Sequence, residues 1–126
     1  MSCRFVRPLA ICIMISILSS PANADRKTAV SFVERGLHAA DIDAKIACFT
    51  QAWEADTTYA VAAINLATAF QKKGKADEAV RMFQAALAIA EAAGDAPGTA
   101  QALFGLGDVA YDGKRYGTAW KYYRKG

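Results

Sequence analysis

The chain has 126 residues, of which 15 are lysine or arginine and 12 are aspartate or glutamate, for a formal net charge of +3. That length is one small domain's worth, and so mild a charge gives no general case for nucleic-acid binding, which needs a sizeable basic face. A single histidine, His38, excludes a metal site built from several histidines.

In chain order, the first 24 residues read as a leader. Arg4 and Arg7 make a basic start, Leu9 to Leu18 is an uncharged apolar run, and Ala22-Asn23-Ala24 supplies small residues where a signal peptidase cuts. This is the layout of a secretory signal peptide removed after Ala24. The run of ten residues falls short of the roughly 20 needed to cross a bilayer, so no stable membrane span is expected. Cys12 follows Ile11 within the run, which does not suit a lipoprotein cut. Removal leaves residues 25–126 as the working domain, near neutrality, with Cys48 as its single cysteine. No internal disulfide can form there and packing alone must hold the fold. Cys48 is expected as a small buried apolar residue. The expected location is the periplasm or the medium.

From there on, apolar residues recur three and four apart, which predicts helices over about 28–40, 43–55, 59–73, 76–93, 97–112 and 116–125. Asp41 and Asp43 suit the turn and cap before the second helix, and Thr57 or Thr58 a cap for the third. Gly74 stands where a left-handed residue would end the third helix. Asp77 and Glu78 suit the start of the fourth helix, where the dipole favours negative charge. Gly94 ends the fourth, Asp95 caps the fifth with Pro97 in its first turn, and Gly113 ends the fifth. The fold class is all-α, in antiparallel hairpins.

The pattern also repeats. Leu66-Ala67 and Leu106-Gly107 are each followed thirteen residues later by an alanine, Ala79 and Ala119, and four residues after that by an aromatic, Phe83 and Tyr123. A step of 34 back from Phe83 and Ala86 reaches Phe49 and Ala52. In these residues the chain resembles the tetratricopeptide repeat (TPR) family. Leu66-Ala67, Phe70, Gly74, Ala79, Phe83 and Ala86 carry the likeness in the middle unit. Leu106-Gly107, Tyr116, Ala119 and Tyr123 carry it in the third. Phe49 and Ala52 match the first, where Lys45 departs from the expected small residue and Val33 to Ala40 fits loosely. The resemblance implies a short right-handed solenoid of units near 28–56, 59–93 and 97–126, with a six-residue extension around Ala93 to Gly98.

It further implies a non-enzymatic module that holds a protein or peptide partner on the concave wall formed by the first helices, without a cofactor. The implied wall residues are Val61, Ile64, Asn65, Thr68, Gln71 and Lys72, continued by Gln101, Phe104, Asp108, Tyr111 and Asp112. Asn65 and Lys72 fit part of a clamp for a terminal carboxylate, but Asp108 and Asp112 would repel one. Gly105 and Gly107 lie within a helical pattern and suit packing, not a phosphate loop. Two functions follow: an adaptor of the cell envelope, or a structural piece that self-assembles or completes a larger array. For the second, the last hairpin supplies Tyr116, Trp120 and Tyr123, through which a homo-oligomer would form. No acid follows Asp112 to oppose Lys114, Arg115, Lys121, Arg124 and Lys125.

Overall fold

The structure is a computed structural model that describes residues 22–126. The leader expected over residues 1–24 lies outside them, save for Ala22–Ala24. Six helices follow one another: α1 (Ala22–His38), α2 (Ile42–Ala55), α3 (Ala60–Lys72), α4 (Ala76–Ala93), α5 (Ala96–Asp112) and α6 (Tyr116–Lys125). Among the described residues there is no strand. The expected boundaries agree within one residue at most ends, whereas α1 starts six residues earlier than the periodicity indicated and stops two earlier.

The caps explain where helices begin and end. Asp41 accepts a hydrogen bond from the Ala44 N–H at 2.6 Å and opens α2, and Asp95 accepts from the Gly98 N–H at 3.1 Å to open α5. Before α3 the expectation fails. Tyr59 is its cap residue and makes no side-chain bond. Thr58 turns back, donating its N–H and its hydroxyl to Asp56 at 2.9 and 2.5 Å. Arg26 also donates to Asp56, at 2.6 Å, and lies over the Tyr59 ring. Partial burial pushes the Asp56 carboxyl up, but the bonds from Thr58 and Arg26 together outweigh it and hold the carboxyl below its ordinary 3.8. This network ties the start of α1 to the α2–α3 loop.

At the other ends, Gly74 (φ 85°) and Gly94 (φ 69°) adopt the left-handed conformation, which costs glycine nothing. After α5 it is Lys114 (φ 62°), not Gly113, that does so. The closing bond is the same in all three cases: Lys75 N–H to Phe70 O at 2.8 Å, Asp95 N–H to Ala90 O at 2.9 Å, and Arg115 N–H to Ala110 O at 2.8 Å. The geometry is the closure in which the second residue beyond the helix bonds back to its last turn.

Each helix packs on the next, and the first helices of successive pairs also approach one another, α1 with α3 and α3 with α5. The second helices do not: α2 and α4 stay apart, as do α4 and α6. The stack therefore curves, with α1, α3 and α5 along its inner side. Alanine makes the close approach possible. Ala67 and Ala79 are completely buried beside Phe83, Leu106 and Val109, so that α3 and α4 meet without a side chain between them.

The first pair departs from the pattern in two ways. Val33, standing where Ala67 and Gly107 stand in the later units, is large and buried. The space for Phe49 comes instead from Gly36, one turn on, where a Cβ would lie 2.5 Å from Phe49 Cε1. Lys45 does not act as a small residue. Its ammonium donates to the Gly36 and Leu37 carbonyls, both at 3.2 Å, where the end of a helix attracts a cation. Cys48, expected buried, is half-buried.

Candidate functional site

Val61, Ile64, Asn65, Thr68, Gln71 and Lys72 recur three or four apart on α3, so they share one face. Gln101, Phe104, Asp108 and Tyr111 do the same on α5. The approach of these two inner helices sets the stripes side by side over a depression of about 310 Å³. Ile64, Thr68 and Gln71 form one wall, Gln101, Phe104 and Asp108 the other, and Phe83 with Gly105 the floor. A smaller hollow of about 90 Å³ lies one unit earlier, between Leu37, Lys45, Asn65, Thr68 and Lys72, with Phe49 lining it. Thr68 borders both hollows.

Each floor has the same construction. A phenylalanine of the second helix wedges between the inner helices, and glycine on one of them makes room. At Gly105 a Cβ would stand 2.2 Å from Phe83 Cε1. Sequence reasoning gave Gly105 a packing role without saying against what, and it missed Gly36. In neither case does the periodicity of apolar residues reveal which ring the glycine faces.

Several polar groups along the wall are already engaged. Asn65 donates to the Val61 carbonyl at 2.9 Å and Thr68 to the Ile64 carbonyl at 2.8 Å, both within α3. That bond uses one of the two amide hydrogens of Asn65. Gln71 donates to Asp112 at 3.1 Å, linking α3 to α5. Tyr123 donates its hydroxyl to Asp108 at 2.6 Å. That bond, then burial and the charges of Asp108 and Asp112, push the Tyr123 hydroxyl up from 10.0 to about 12.

Tyr123 was grouped by the sequence with the chain-end residues Tyr116 and Trp120. The structure turns its ring toward α5, where a Cβ on Gly107 would lie 2.5 Å from it and where it stands 5.9 Å from the Phe104 ring. Tyr116 and Trp120 remain exposed, at 54% and 63%. Tyr116 meets Tyr111 edge-on at 5.1 Å, so the aromatic strip of the inner wall runs on to the end of the stack.

Among the side chains left open on the inner wall, several are large and apolar. Leu37, Phe104 and Tyr111 are 55%, 48% and 56% exposed, and Val61 is 41% exposed. Leu37 was not anticipated, although it occupies in the first unit the place of Gln71 and Tyr111. Ile64, by contrast, is half-buried and packs on the cluster around Phe83, so it serves the core as well as the wall. Charge varies along the wall, with Lys45 and Lys72 beside the smaller hollow and Asp108 beside the larger. No group of metal-ligating side chains occurs among the described residues, and no helix among them is long and apolar enough to cross a membrane.

The family model described as "Tetratricopeptide repeat" matches residues 58–126, which span α3 to α6. No curated protein matches the chain.

Proposed function

The chain belongs to the tetratricopeptide repeat family, a family of protein-interaction scaffolds, and from that premise we propose that it is an adaptor of the cell envelope that holds a peptide or partner protein against its inner wall. The observation carrying this reading is the exposure of Leu37, Phe104 and Tyr111 along one concave face. Large side chains left about half-exposed along one face offer a partner area to bury, each worth about half of the roughly 1.5–3 kcal/mol that burying a fully exposed one brings. Aromatic anchors of this kind carry much of the energy of protein interfaces. The split of charge between Lys45 and Lys72 at one hollow and Asp108 at the other would orient an extended segment along the wall. The place of action rests on the leader, with Arg4 and Arg7, the apolar run and Ala22-Asn23-Ala24.

Capture from a periplasmic fraction tests this, with bait whose intact mass shows whether it begins at Asp25. A Phe104→Ala/Tyr111→Ala variant should retain its helicity and lose at least about tenfold in affinity for what the wild type captures, the equivalent of about 1.4 kcal/mol. Ile64 is left in place because it also packs the core. Undiminished capture by the folded double variant would remove this wall as the binding face.

A further inference from the structure

The larger depression on the inner wall holds one charge without a counter-charge. Among the described residues that line it, Asp108 is the only charged one. Its Oδ1 accepts from the Tyr123 hydroxyl at 2.6 Å, a neutral donor that fixes the carboxylate without cancelling its charge. The ion pairs of the described residues, Arg26–Asp56 and Lys73–Asp43, leave Asp108 out. Lys72 and Arg115 line the neighbouring hollows and not this one. Two rings share the depression with Asp108. Phe83 lies on its floor, and Phe104, one turn before Asp108 on α5, is half-exposed.

We propose that the peptide segment held on this wall carries an arginine or lysine at the place that meets Asp108, its aliphatic stem along Phe104 and its cationic head on the Asp108 carboxylate. This rests on the inner wall being the binding face, and it names the chemistry that the wall selects.

The selection follows from desolvation. Phe104 and Asp108 stand four apart on one helix and are therefore neighbours on its surface. A segment that covers the Phe104 ring also takes the Asp108 carboxylate out of water. Covering a carboxylate without a counter-charge is costly. An apolar, neutral or acidic residue at that place therefore subtracts from what Phe104 gains. A basic side chain offsets the loss with a charge-assisted hydrogen bond, and the bond from Tyr123 to Oδ1 leaves Oδ2 to receive it. Long basic side chains also lay their stems on apolar surface while the head stays with its polar partner, and the open Phe104 face attracts a cation. In the neighbouring hollow Lys45 and Lys72 oppose a basic residue, so the preference belongs to one place in the segment and not to its net charge.

Selection of random peptides displayed on phage, with the chain as bait, tests this. Peptides whose capture is lost with Phe104→Ala/Tyr111→Ala should share an arginine or lysine at one fixed place. By anisotropy, a synthetic peptide of the selected sequence should bind Asp108→Asn at least about fivefold less tightly. Asp77→Asn, the same change of charge at the start of α4, should bind it undiminished. Asparagine retains an acceptor for the Tyr123 hydroxyl, so Asp108→Asn should keep its helicity and melting temperature. Changing the peptide's basic residue to glutamine should weaken the wild type by a similar factor and leave Asp108→Asn unaffected, which isolates the pair. Wall-dependent peptides without a shared basic residue, or basic peptides held as tightly by Asp108→Asn, overturn the proposal and leave the wall as the binding face. Selection that yields no peptide dependent on Phe104 and Tyr111 overturns both. A dimer in sedimentation that Phe104→Ala/Tyr111→Ala abolishes assigns the wall to a second copy and overturns the proposal as well.

Discussion

Gly105 and Gly107 lie two positions apart on α5 and face different aromatics, Phe83 of the preceding pair and Tyr123 of their own. Replacing Gly105 with alanine would gain about 1 kcal/mol of helix propensity. The added methyl would meet the Phe83 ring, which is 2% exposed and has nowhere to retreat, and overpacking of this kind costs about 1–3 kcal/mol. The clash should win. Gly105→Ala is expected to lower stability by up to about 2 kcal/mol in denaturant melts, while Gly117→Ala, with open space around its Cβ, should raise it. If both changes stabilise, the wedge of Phe83 is not as described. Tyr123 allows a second check at this scale. Its hydroxyl is raised to about 12 by its bond to Asp108 and by nearby charge, so the neutral form is the one the fold favours. The stability this contributes is complete below pH 10 and is lost as pH rises toward 12. Absorbance titration should show one late tyrosine phase, which Tyr123→Phe removes and Asp108→Asn shifts to lower pH. A late phase surviving Tyr123→Phe would contradict the assignment.

Among the helices, the pairing of α3 with α4 rests on alanines, and their register is testable. Ala79 is fully buried at the contact, whereas Ala88 on the same helix is exposed. Ala79→Leu should cost about 1–3 kcal/mol by overpacking, and Ala88→Leu a few tenths. Thermal melts distinguish them, and equal shifts would mean that α4 is rotated from the described position. All six helices and the alanine contacts of α3 and α4 were legible in the sequence, because a 3.6-residue period and a recurring small residue are local signals. The first pair was less so. There the small residue sits at Gly36 in place of Val33, and Lys45 reaches carbonyls of α1, a contact that depends on where two helices lie in space. Gly113 does end α5 as expected, but which residue there turns left-handed was not legible. Glycine is the default for that conformation, but Lys114 holds it because the closing bond from Arg115 to Ala110 fixes the position.

For the molecule as a whole, the curvature follows from the approach of α1, α3 and α5 while α2, α4 and α6 splay. That puts the wall residues named from the resemblance on one surface and the core-forming aromatics beneath it. The wall was readable from the repeat, since equivalent places in each unit share a side. The engagement of Asn65 with Val61, of Gln71 with Asp112 and of Tyr123 with Asp108 was not, because sequence shows which groups can donate and not which acceptor comes within reach. The central claim is that the inner wall is where the partner lies. Hydrogen exchange on the chain with and without its captured partner, followed along its length, measures this most directly. The account predicts slowed exchange in α3 and α5 around Thr68 and Asp108, with α2 and α4 unchanged. Protection confined to α2 and α4 would put the partner on the outer side and contradict it.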